Sequence, residues 1–151
     1  MQNVKKLKII DGINIRISQF SAKWGVLFLR YSIGLIFIWF GGLKFFNLSP
    51  AEELVASTMN SIPPKVLIPT LALWEVIIGI TMYIRPLLKV SIFLLLLQMV
   101  GTFFPLFILP KVCFIDIPFV PTLEGQYIIK NVIIISAALV IGGSIPLTKK
   151  I

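Results

Sequence analysis

The chain has no histidine among its 151 residues and a single cysteine, Cys113. The first absence removes the commonest ligand of zinc and haem iron, and the side chain that titrates near neutral pH. Histidine-based metal binding and acid–base catalysis are therefore excluded. The second absence rules out an intrachain disulfide and any C-x-x-C redox pair. Acids are scarce as well: six stand against fourteen bases, giving a formal charge of +8. Charged residues make up only 13% of the chain, against 58% hydrophobic, and the mean hydropathy is +1.00. Such a composition is too apolar for a water-soluble domain and fits a multi-span membrane protein. A basic balance in a soluble chain points to nucleic acid. Here the bases collect at the ends of apolar runs, as topology signals and contacts for anionic lipid, so no nucleic-acid partner is expected. Nor is a cleavable signal peptide expected, because no short apolar core with a small-x-small site precedes Trp24.

What is present is four apolar stretches, about 24–46, 66–84, 87–109 and 127–146, each near the 20 residues a spanning helix needs. The expected fold is all-α, a four-transmembrane-helix bundle over 24–147. Ahead of it, Lys5, Lys6, Lys8, Arg16 and Lys23 alternate with Ile10, Ile13, Ile17 and Phe20. That pattern predicts a basic amphipathic segment over 1–23, lying on the membrane surface. After the first span, Ser49-Pro50-Ala51-Glu52-Glu53 offers a capping serine, a first-turn proline and first-turn acids, predicting a short extracytoplasmic helix over 50–60. Pro69 falls in the expected first turn of the second span, and Pro105 is expected to kink the third. Residues 110–126 read as an irregular loop folding back into the interface, and 148–151 as a tail. Nine bases, Lys5, Lys6, Lys8, Arg16, Lys23, Arg85, Lys89, Lys149 and Lys150, fall on one side of the bundle. The positive-inside rule makes that side cytoplasmic, with both termini there.

Several polar residues lie inside these stretches. Arg30, Gly34, Phe37, Gly41 and Lys44 recur at intervals of four and three, so they share one helix face. The face with Leu29, Ile33, Ile36, Phe40 and Leu43 is expected to meet lipid. In the second span Ala72, Glu75 and Gly79 share a face, and in the third Ser91, Gln98, Thr102 and Pro105 line one side. A carboxylate at mid-membrane costs about 2.5–3.5 kcal/mol on insertion scales, so Glu75 must face the bundle and find a partner. An ion pair or a hydrogen bond to Gln98 answers that need structurally; a proton or ligand site answers it functionally. Lys44 and Lys130 can snorkel to the outer surface and Arg30 to the inner one, but the expectation for Glu75 is a side chain facing the bundle core, within reach of Gln98 and of Lys44 or Lys130. The candidate ligand-binding set is Arg30, Lys44, Glu75, Gln98 and Lys130, an electropositive pocket for an anionic or carbonyl-bearing ligand. No residue is assigned a catalytic role and no metal site is expected.

The runs LRYSIGLIFIWFGGLKF in span one, WEVIIG in span two and EGQYIIKN in span four resemble the DoxX family of small four-helix membrane proteins. The branch most resembled is the one tied to reactive-chlorine resistance, and the match covers about 27–143. The resemblance implies a bundle in the bacterial inner membrane and a redox setting. It further implies a soluble protein partner, to which a homo-oligomer is the alternative. The candidate ligand is a quinone, which needs only donors for its carbonyls and an apolar slot. Arg30, Lys44, Glu75 and Lys130 are its family-like polar positions. The expected function is a multi-pass membrane subunit of a redox or oxidative-stress system, not catalytic by itself. The alternatives are a small proton-coupled transporter or permeability factor, and a purely structural assembly partner.

Overall fold

The computed structural model describes residues 2–145, with side chains described from Asn14 onward. Seven α-helices, a short 3-10 turn (Arg85–Leu87) and one small hairpin follow among these residues: α1 (Gln2–Phe45), α2 (Glu52–Thr58), α3 (Pro64–Tyr83), α4 (Leu88–Thr102), α5 (Phe104–Ile108) and α6 (Pro110–Cys113). The hairpin strands β1 (Phe114–Asp116) and β2 (Val120–Pro121) and the last helix, α7 (Leu123–Gly143), complete the chain. Four segments are long and apolar enough to cross a membrane: Asn14–Phe45, Pro64–Tyr83, Arg85–Ile108 and Leu123–Gly143. Large apolar side chains such as Trp39, Phe40, Phe93 and Ile133 cover the outside of the bundle. The tail 148–151, Pro146 and the side chains of Lys5, Lys6, Lys8, Ile10 and Ile13 lie outside the described residues.

Two expectations about α1 are revised. No break separates an N-terminal segment from the span at Trp24; one helix of 44 residues runs from Gln2 to Phe45. Gly12 and the alternation of Ile13, Ile15 and Ile17 are local signals against a helix, and α1 nevertheless runs through them. Ile33, placed on the lipid face by its spacing from Leu29, is buried at 6% exposure. It stands three residues after Arg30 and four before Phe37, so it belongs equally to their face. The helix ends where Asn47 takes a left-handed conformation (φ 54°) and the Leu48 N–H returns to the Leu43 carbonyl at 3.0 Å. Asparagine tolerates that geometry and caps the last turn.

Helices α1 and α3 pack antiparallel with their backbones close. A Cβ added to Gly34 would lie 3.1 Å from the Gly79 carbonyl oxygen, and one added to Gly79 would lie 2.7 Å from that of Gly34. Gly41 faces the Ala72 carbonyl oxygen at 2.8 Å on the same criterion. Small residues at this seam let two backbones meet in surroundings where apolar burial offers little net drive. Ile78, Met82, Leu95, Met99, Ala138 and Ile141 then fill the space between α3, α4 and α7.

The remaining elements differ from expectation at their ends. Helix α3 starts at Pro64, so Pro69 falls in its second turn, at an exposed position, where it withholds one backbone donor. The third span is interrupted at Phe103, and Pro105 opens α5, so the expected kink is a break between two helices. Helix α2 is shorter than expected, at 7 residues, and begins at Glu52. The Ser49 signal survives in the turn before it. The Ser49 N–H donates to Glu52 Oε1 at 3.3 Å, and Ser49 Oγ accepts from the Ala51 N–H at 3.4 Å. The expected loop over 110–126 contains α6 and the β1–β2 hairpin. Helix α7 starts four residues before the expected 127, because Thr122 Oγ1 caps it by accepting from the Gly125 N–H at 3.2 Å.

Candidate functional site

The antiparallel register of α1 and α3 sets Lys44 beside Glu75. Lys44 Nζ lies 2.6 Å from Glu75 Oε2, and the two residues are 7% and 9% exposed. From α4, Gln98 Nε2 donates to Glu75 Oε1 at 2.8 Å. Both carboxylate oxygens are thus engaged, one by a charge-assisted bond. Short, charge-assisted contacts of this kind are the strong ones, and a low-dielectric surrounding strengthens them further. The opposite side of the Gln98 amide is unmet: Oε1 is buried without a donor. Lys44 keeps further N–H groups beyond the one given to Glu75. The cluster therefore presents a spare donor and a spare acceptor beside a carboxylate.

The five candidate residues do not converge. Lys44, Glu75 and Gln98 form one cluster. Lys130 is exposed on α7, its Nζ 5.2 Å from the centre of the Tyr127 ring, and takes no part. Its position early in α7 lets the flexible stem lie along an aromatic face, which is sufficient partner for an exposed cation. Lys44 does not snorkel to the surface but turns into the α1–α3 seam, where it meets the predicted pairing of Glu75 with Gln98 and with one of Lys44 and Lys130. Arg30 stands fourteen residues before Lys44 on α1, about 21 Å along the axis. Its Nε donates to the Met82 carbonyl near the end of α3. The single pocket formed by three bases around one acid is replaced by two separate polar places, one at each end of the α1–α3 seam.

Other polar contacts were not anticipated. Ser91 Oγ donates to the Ile78 carbonyl at 2.9 Å, and Trp74 Nε1 donates to the Leu94 carbonyl at 3.3 Å, fastening α4 to α3. Tyr31 and Tyr83 stack with centroids 5.1 Å apart beside Arg30. The register that pairs Gly34 with Gly79 would have placed these tyrosines together. Outside the spans, burial and then the Glu124 carboxylate push the Cys113 thiol above its ordinary 9.0. Among the described residues no group of three metal-ligating side chains occurs.

The fold and these clusters define a small helical protein with four segments able to span a membrane and an ion pair buried between two of them. Comparison with family models, with curated proteins and with solved structures returns no match.

Proposed function

We propose that the chain is a multi-pass subunit of the bacterial inner membrane, with both termini cytoplasmic. In this reading it serves a redox or oxidative-stress system alongside a protein partner and holds a quinone at Lys44, Glu75 and Gln98. The observation that carries the reading is the buried cluster with its unmet Gln98 Oε1. Lys44 has N–H groups to offer a carbonyl oxygen, Gln98 Oε1 can accept from one hydroxyl donor, and Glu75 holds both side chains in place. A quinone, when bound, supplies the two-electron chemistry that this chain's own side chains lack. Its ring needs only such donors and an apolar slot, and the apolar side chains around the seam provide the surroundings. The resemblance of the span-one, span-two and span-four runs to the DoxX family supports the same setting.

The test is extraction of the purified full chain followed by mass spectrometry of the lipid fraction. Quinone is expected to co-purify with the wild type and to fall about tenfold in Gln98→Leu. A Glu75→Leu chain that retains both quinone and activity would remove the site. Uptake driven by a proton gradient in proteoliposomes, with no quinone bound, would favour the transporter reading, in which Glu75 is the coupling carboxylate.

A further inference from the structure

Arg30 is a buried cation that no carboxylate of the described residues balances. It is 5% exposed, and Nη2 is enclosed without an acceptor. The six acidic residues stand elsewhere along the backbone. Glu75 is engaged with Lys44, about 21 Å away along α1. Glu52 and Glu53 in α2, Asp116 in β1 and Glu124 in the first turn of α7 are at the Lys44 end of the bundle, and Asp11 is nineteen residues earlier on α1, about 28 Å. Leaving a charged donor buried and unmet is more expensive than leaving a neutral one, which already costs about 1–3 kcal/mol. An acceptor from outside the chain would relieve that penalty.

The surroundings specify its chemistry. The guanidinium Cζ is 5.3 Å from the Tyr31 ring centre, and Tyr31 stacks on Tyr83, the two being 39% and 43% exposed. Half-exposed tyrosines on apolar helices mark the level where hydrocarbon gives way to headgroups. Arg85 in the α3–α4 turn and Lys89 in the first turn of α4 follow Met82 closely, both exposed, and Lys23 stands two turns before Arg30 on α1. A planar guanidinium with a free N–H, set at headgroup level behind exposed bases, is matched to a phosphate oxyanion.

We propose that Arg30 anchors a site for the phosphate of an anionic phospholipid at this end of the bundle, with Arg85 and Lys89 drawing the headgroup in. A change of rotamer in the Arg30 stem brings Nη2 to the phosphate, the motion by which long basic side chains reach headgroups generally. The site is separate from the quinone cluster and stands or falls without it.

The full chain in neutral detergent would be titrated with phosphatidylglycerol, with phosphatidylcholine and with inorganic phosphate. Bound mass is read by native mass spectrometry, and thermal unfolding is read alongside. The expected result is saturable binding of phosphatidylglycerol in preference to phosphatidylcholine, weakened about tenfold in Arg30→Gln and less in Arg85→Gln. An Arg30-dependent response to inorganic phosphate alone keeps the site and makes its source a soluble anion. Binding of phosphatidylglycerol by Arg30→Gln as tight as wild type overturns the proposal. So does a wild type that shows no preference for the anionic lipid and no response to phosphate, a readout that holds even if the variant does not fold.

Discussion

Removing the Glu75 carboxylate leaves Lys44 buried with its charge uncompensated, so the two partners are worth far more together than either is alone. Glu75→Gln keeps the shape and still strands the ammonium; it is expected to destabilise the bundle by about 3–5 kcal/mol. Replacing both, as Lys44→Met with Glu75→Leu, should recover most of that loss, since a well-packed apolar pair often matches a buried ion pair. Unfolding of the three proteins in detergent measures the difference; a double variant as weak as Glu75→Gln would deny the coupling. At Gly79 the added Cβ meets backbone on the facing helix, Ile38 N at 2.8 Å and Gly34 O at 2.7 Å. Neither atom can rotate aside, so Gly79→Ala is expected to cost about 1–3 kcal/mol. Gly42→Ala, with nothing within 4 Å, should be neutral or slightly stabilising in the same assay.

At the scale of elements, the short helix α2 and the start of α7 differ in how firmly they are capped. The Ser49 bond to Ala51 is long, so Ser49→Ala should lower α2 stability by only about 0.5 kcal/mol. Thr122 does more: Oγ1 accepts from Gly125 and donates to the Val112 carbonyl at 2.7 Å, tying α7 to α6. Thr122→Ala should cost about 1–2 kcal/mol. Hydrogen exchange that opened 52–58 more than 123–127 after the respective substitutions would reverse that order. The spans themselves were legible because about 20 apolar residues at a stretch leave few alternatives. The inward faces of α1 and α3 were legible because Arg30, Gly34, Gly41 and Lys44 repeat with Ala72, Glu75 and Gly79. Element ends were less so. Pro64 started α3 early, and the apolar residues of 114–121 pair as a hairpin through contacts that no local spacing encodes. The separation of Arg30 from Lys44 could have been read from their spacing on α1 alone. The lateral choice of Lys44 over Lys130 as partner for Glu75 needed the packing of α1 on α3.

For the whole molecule, the distribution of bases sets a testable orientation. Cysteines at Gln2 and Ile151 should label only from the cytoplasmic side, and one at Ser57 only from outside. The native thiol should interfere little. Cys113 is fully buried, and with its proton held above the ordinary 9.0 it presents scarcely any thiolate at about pH 8. The folded state retains that proton more firmly than the unfolded one. The associated stability is therefore complete below 9.0 and is lost as pH rises through the higher folded value. Alkylation of Cys113 in the native protein should be slow at about pH 8, faster at more alkaline pH, and immediate once the chain is unfolded in detergent.

The Lys44–Glu75 bond also has a consequence in time. Ribosomes deliver the first span before the third helix exists, and Glu75 follows Lys44 by thirty-one residues, several seconds at about 5–20 residues per second. During that interval the lysine has no counter-charge from its own chain. α1 should therefore linger beside the insertion machinery until α3 arrives, and the two should enter the bilayer as a hairpin. A ribosome stalled before Glu75 should leave α1 crosslinked to the translocon, and one stalled well after it should release the pair.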